Sequence, residues 1–154
     1  MADYEGVDVT HRATVPGPAD TAPHRDAPPL LSDRLTEWAR PRDAGNRAAV
    51  AALIEEDSIL AREDVQALLL IETGCGVFCD WPRFEDRYRR ALVLDDGEDA
   101  FLTFVIAIAF PRLVPLWRLE SLGDRRLGIV LRALTRLAGS DAIAVGTRTG
   151  AGGC

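Results

Sequence analysis

Four groups of side chains have the types and spacing to do chemistry. Cys75 and Cys79 stand four positions apart, close enough for two thiolates to share a metal ion or a redox cycle. Glu55-Glu56-Asp57 and Asp95-Asp96-Gly97-Glu98-Asp99 concentrate carboxylates of the kind that hold a divalent cation or move a proton. Arg125, Arg132 and Arg136 fall on one face of a helix, where they suit a phosphate or an acidic partner helix.

None of the four is complete. Structural zinc takes four ligands, and the body of the chain has neither a histidine nor a third cysteine to add to Cys75 and Cys79. A redox pair is more often CxxC beside a βαβ unit, and no such unit is legible. The run Asp95–Asp99 lacks the alternating ligands and the distal bidentate Glu of a calcium loop, so both acidic runs read as solvated helix ends. General bases are scarce as well. His11 and His24 are the only histidines, and all 18 basic side chains are arginine, which stays protonated. No phosphate-cradling glycine loop or nucleophile elbow compensates. The sequence therefore predicts no catalytic residue, no cofactor and no metal site. Its arginine-only, Ala/Leu/Asp/Gly-rich composition reads as high-GC coding bias.

The candidate that remains is a contact surface made of Arg125, Ile129, Arg132 and Arg136. Ile129 falls among the arginines on the helical wheel, and an apolar side chain ringed by cations suits a protein partner. Trp81 and Trp117 read as core anchors.

The elements that must position these residues are helical. Leu31, Leu35 and Trp38 recur at helical spacing behind a Ser32 cap, and Pro41 ends that helix. Asp43–Glu56 forms a second helix with Val50, Leu53 and Ile54 inward; it closes in acid, the wrong charge for a helix C-terminus. Ala61–Glu72 forms a third, with Val65, Leu68 and Leu69 inward and Leu70 and Ile71 pointing elsewhere. Gly76-Val77-Phe78-Cys79 reads as an extended connector without a strand partner. Asp80 caps a fourth helix, with Pro82 in its first turn and i, i+4 pairs Glu85–Arg89 and Asp86–Arg90. The next helix, about 98–110, is apolar all round and belongs at the centre of a bundle. Pro111–Pro115 is an extended crossing, Leu116–Leu122 a short helix, and Asp124 caps a last helix whose core stripe is Leu127, Val130, Leu131, Leu134 and Leu137.

The predicted fold class is all-α: a compact orthogonal bundle of five to seven helices over residues 31–139. A Pro-rich leader at 1–30, expected to be disordered, precedes it, and a flexible Gly-rich tail at 140–154 follows. The N-terminus has no basic region followed by an apolar run, and Ala100–Phe110, the longest apolar run, is too short to span a bilayer. A cytoplasmic protein with reduced thiols is expected. The net charge of −6 disfavours nucleic acid. Another protein or a second copy is the expected partner, and the leading function a non-enzymatic interaction or regulatory module. Two alternatives remain. One is a helical domain that binds a small molecule in a pocket reached by Arg83, Arg87 or Arg112. The other is a DNA-binding regulator that uses the last helix, with Gly123-Asp124 as its turn.

Over residues 62–139 the chain resembles a group of uncharacterised all-helical actinobacterial proteins. The resemblance rests on Ala61-Arg62-Glu63-Asp64, Asp80-Trp81, Gly97-Glu98 and a Leu-rich closing helix that ends at Ala138-Gly139. The chain departs from that pattern at Phe110-Pro111-Arg112-Leu113-Val114-Pro115, where the group has a Gly-Ile-Pro-Val-like turn. The resemblance implies a helical fold and a bacterial cytosolic origin, and carries no activity.

Overall fold

The computed structural model describes residues 29–140 and 143–146; positions 1–28 of the expected leader lie outside them, as does most of the tail. The fold is all-α, with α1 (Leu31–Ala39), α2 (Ala44–Glu56), α3 (Glu63–Leu69), α4 (Trp81–Ala91), α5 (Asp96–Ala109), a 3-10 turn (Leu116–Ser121) and α6 (Gly123–Leu137). One small hairpin interrupts the helices: β1 (Leu70–Thr73) pairs antiparallel with β2 (Gly76–Cys79).

The apolar helix α5 is the centre. It packs against α2, α6, α4 and the 3-10 turn, and Ala100 through Ile106 are all buried. A capping box starts it: Glu98 N–H donates to Asp95 Oδ1 (2.7 Å), and Asp95 N–H donates to Glu98 Oε2 (3.1 Å). Thr103 is the one polar side chain among the buried residues of this helix. Its hydroxyl donates to Asp99 O (2.7 Å), accepts from Arg89 Nη2 (3.0 Å) and lies 3.2 Å from Tyr88 Oη, so donor and acceptor capacity are both used. The start of α2 meets the end of α5 closely, because Gly45 sits against the Ile108 carbonyl. Asp43 caps α2 by accepting from Asn46 N–H (2.8 Å), and Asn46 Oδ1 in turn accepts from Trp81 Nε1 (2.9 Å). Trp81 is buried, as expected of a core anchor.

Several expectations are corrected. The third helix stops at Leu69, and Leu70 and Ile71 leave its apolar stripe because they belong to a strand. The expected connector is that strand's partner, in the register Leu70↔Cys79 and Thr73↔Gly76. Only Gly74 and Cys75 separate the paired residues, the loop length of a tight hairpin. Ser32 lies inside α1 rather than capping it, and Asp124 lies in the first turn of α6 without capping that helix. Glu85 and Arg89 do not pair with each other but reach other elements: Glu85 Oε1 is 2.6 Å from Arg112 Nη1, and Arg89 Nε is 3.1 Å from Asp99 Oδ1; the expected Asp86–Arg90 pair does not form either.

The largest correction concerns α6. Ile129 is 1% exposed, whereas Leu131, Leu134 and Leu137 are 40, 41 and 39% exposed. The buried face is Ile129, Val130 and Ala133, so the helix is turned by about a quarter turn from the expected orientation.

Candidate interaction surface

Arginines turned α6. That helix lies along the acidic end of α2, and four of its side chains bond there. Arg132 Nε donates to Glu55 Oε1 (2.7 Å) and Arg136 Nη1 reaches Glu55 Oε2 (3.4 Å). Arg125 Nη2 donates to the Glu56 carbonyl (2.8 Å). Arg126 Nε donates to Glu56 Oε1 (3.1 Å). Glu56 is fully buried and also accepts from Ile59 N–H and Ser58 Oγ, each at 2.8 Å. The carboxylates that sit at the wrong end of their own helix dipole are thus offset by cations from α6. The acidic partner helix that suits the arginine row is α2 of the same chain.

The predicted surface residues therefore stay close together but do not form an exposed apolar site ringed by cations. Ile129 faces the core, and Arg125, Arg132 and Arg136 are engaged by α2. The guanidiniums proposed to line a pocket are dispersed. Arg112 pairs with Glu85, Arg83 Nη2 reaches Ala67 O at 3.4 Å, and Arg87 is exposed. A cleft of about 460 Å³ opens between α1 and the hairpin, beside Arg34, Trp38 and Cys75; Arg34 pairs there with Glu72 at 3.0 Å. Among the described residues, no three His, Cys, Asp or Glu side chains converge as a metal-ligand set. Cys79 is buried in β2, which pushes its thiol up to about 12, while Cys75 is exposed at the hairpin turn. Cys79 therefore stays a thiol at neutral pH and is no nucleophile.

A second polar cluster ties α4 to α5 and the 3-10 turn. Asp99 accepts from Arg89 Nε and from Arg118. Burial pushes the Asp99 carboxyl up, but the hydrogen bonds from Arg118 and Arg89 outweigh it and hold the group below the usual carboxylate range. A depressed folded-state value stabilises the fold above the unfolded value of about 4, and that contribution is lost as pH falls through the folded value. Urea unfolding of the wild type and Asp99→Asn across pH 2 to 7 is expected to show a constant gap above about pH 5 that closes below about pH 4. A gap unchanged at the acid end refutes this account.

What sequence reasoning missed lies in the connection between α5 and α6. Leu113 is 96% exposed, Leu116 72%, Trp117 65% and Phe110 43%. Trp117 is thus no core anchor. Around these residues the backbone is tied down: Val114 and Leu119 pack against the core, Arg112 pairs with Glu85, and Arg118 bonds Asp99. The available signal was the crowding of Phe110, Leu113, Leu116 and Trp117 around Pro111 and Pro115, which keep α5 from continuing through this segment and burying them on one helical face. No family model, curated protein or solved structure matches the chain.

Proposed function

We propose that the chain is a non-enzymatic protein-interaction domain whose docking limb is Phe110–Trp117. The observation that carries this reading is the exposure of Phe110, Leu113, Leu116 and Trp117 together on a segment anchored on both sides. Clustered exposed apolar area favours association with a partner. A large aromatic flanked by leucines is the composition of an interface anchor, because such side chains remove much apolar surface from water for little lost rotamer freedom. Anchoring by Arg112 and Arg118 supports it further, since a limb already ordered loses less entropy on docking. A cytoplasmic setting belongs to this reading, because there the exposed thiol of Cys75 stays reduced. Among the described residues no helix is long and apolar enough to cross a membrane. A DNA-binding role is disfavoured, because the arginines of α6 that a phosphate backbone would need already bond α2.

The test places a photo-activated cross-linking side chain at Leu116, which is exposed on the limb, of the full chain in its native host. A defined protein should be captured, and capture should be lost in a chain carrying Leu113→Ser and Trp117→Ser. Equal capture by that variant, with its helical circular dichroism intact, rejects the limb as the docking site.

A further inference from the structure

We propose that the cleft between α1 and the hairpin is the seat of the chain's own segment Pro23–Pro28, which turns back at Pro29 and follows α1 in an extended, polyproline-type path. This goes beyond the reading above and does not rest on it, because no residue of the docking limb borders this cleft.

Three observations select the occupant. The first is where the chain enters. α1 packs on β2, and the cleft of about 460 Å³ follows the length of that helix, from Pro29 ahead of its first turn through Asp33 and Arg34 to Trp38. Pro29 is itself part of the wall, and 28 residues precede it. Leu30, the N-cap residue, has φ −57° and ψ 149°, close to the angles of polyproline II. The chain thus meets one end of the cleft in the conformation that its prolines favour.

The second is period. Polyproline II has three residues per turn and rises about 9 Å per turn, so Pro29, Asp26 and Pro23 share one edge. On α1, Arg34 stands about 8 Å and Trp38 about 14 Å beyond Pro29. A run that turns back along α1 sets Asp26 beside Arg34 and brings Pro23 to the Trp38 end. A proline against an aromatic ring is the contact by which grooves hold Pro-rich segments. Val77, buried in β2, supplies an apolar wall from the hairpin.

The third is charge. Five acids precede Pro29, and Asp26 is the only one of them between positions 22 and 28. It falls where it meets Arg34. That guanidinium is held by Glu72 at 3.0 Å, and Glu72 is exposed, so exchanging one carboxylate for another costs little. Asp33 and Glu37 stand exposed one turn apart on α1 at the same cleft, and Arg25, on the next edge of the run, is the cation that suits them. The earlier acids Asp3, Glu5, Asp8 and Asp20 would be repelled by Asp33 and Glu37, so the stretch nearest Pro29 is the one that fits. Because the segment is tethered, its effective concentration is of millimolar order, and a weak contact suffices to keep the cleft mostly filled.

Cys75, exposed at the hairpin turn, borders the cleft and reports its occupancy. The full chain carrying Cys154→Ser is treated with iodoacetamide; Cys79 is buried and does not compete. A chain that also carries Pro23→Gly and Pro28→Gly keeps every charge and loses the polyproline preference. Its Cys75 should be alkylated at least about threefold faster, the change expected if two-thirds of the molecules are docked before substitution. Equal rates overturn the proposal. The heteronuclear Overhauser effects of the Arg25, Asp26 and Ala27 amides, recorded on the Cys154→Ser chain, should approach those of α1. Values far below those of α1 overturn the proposal whatever the alkylation shows.

Discussion

Replacing Arg126 with alanine is expected to destabilise the fold by about 3 kcal/mol, which for a domain of this size lowers the melting temperature by about 10–20 °C. The reason is the partner left behind. Glu56 is completely buried, and Arg126 is the cation whose guanidinium lies 3.1 Å from its Oε1. Without Arg126, the carboxylate keeps hydrogen bonds from Ser58 and the Ile59 amide but loses its countercharge in a low-dielectric setting. The cost is therefore mainly an uncompensated charge. Glu56→Gln keeps a carbonyl acceptor for the Ile59 amide and removes that charge. Glu56→Gln combined with Arg126→Ala should consequently be more stable than Arg126→Ala alone, giving a coupling energy above about 1 kcal/mol in a double-mutant cycle. Additive effects of the two substitutions would show that Glu56 and Arg126 do not act as a pair.

The same interaction explains why one helix was misoriented from sequence and the others were not. Local signals fix most of the elements. Asp43, Asp80 and Asp95 each accept from a backbone amide three residues on, and α5 announces itself by having no polar stripe. In α6 the local signal misleads. Val130 belongs to both stripes; beside it Leu127, Leu131, Leu134 and Leu137 outvote Ile129 and Ala133, although it is Ile129 and Ala133 that are buried with it. What turns the helix is its bonding to Glu55 and Glu56, about 70 residues earlier in the chain, and no helical period carries that information. One trace was present: acids closing α2 oppose its dipole, and an opposed dipole calls for cations from elsewhere. The hairpin was missed for a related reason. Neither Leu70–Thr73 nor Gly76–Cys79 is convincing alone; they become strands only as a pair across Gly74-Cys75, and they pack through β2 on α1. The docking limb was half legible. Pro111 and Pro115 mark Pro111–Pro115 as an extended crossing, but Trp117 was assigned to the core on residue type, and only its exposure in the folded chain shows otherwise.

Two glycine-to-alanine substitutions in helices should move stability in opposite directions. In an ordinary helix interior, alanine is favoured over glycine by about 1 kcal/mol because it loses less backbone entropy. Gly128→Ala, in the middle of α6, should gain most of this. A β-carbon there meets only the Arg132 guanidinium, with Nη1 at 3.4 Å, the far end of a side chain that can shift. Gly45→Ala should instead destabilise by about 3 kcal/mol. There the β-carbon runs into the backbone carbonyl of Ile108, which is held within α5 and cannot swing aside, and Asp43 Oδ1 lies 3.2 Å away on the other flank. To make room, α2 must move off α5, loosening the contacts of Ala48, Ala49 and Ala52 along one of the main interfaces of the core. Equilibrium urea unfolding of the two variants decides the point, with a lower midpoint for Gly45→Ala and an unchanged or higher one for Gly128→Ala. If Gly45→Ala is as stable as the wild type, α2 and α5 are not in the close contact that puts α5 at the centre of the bundle, and the exposed limb that leaves its end loses its rigid base.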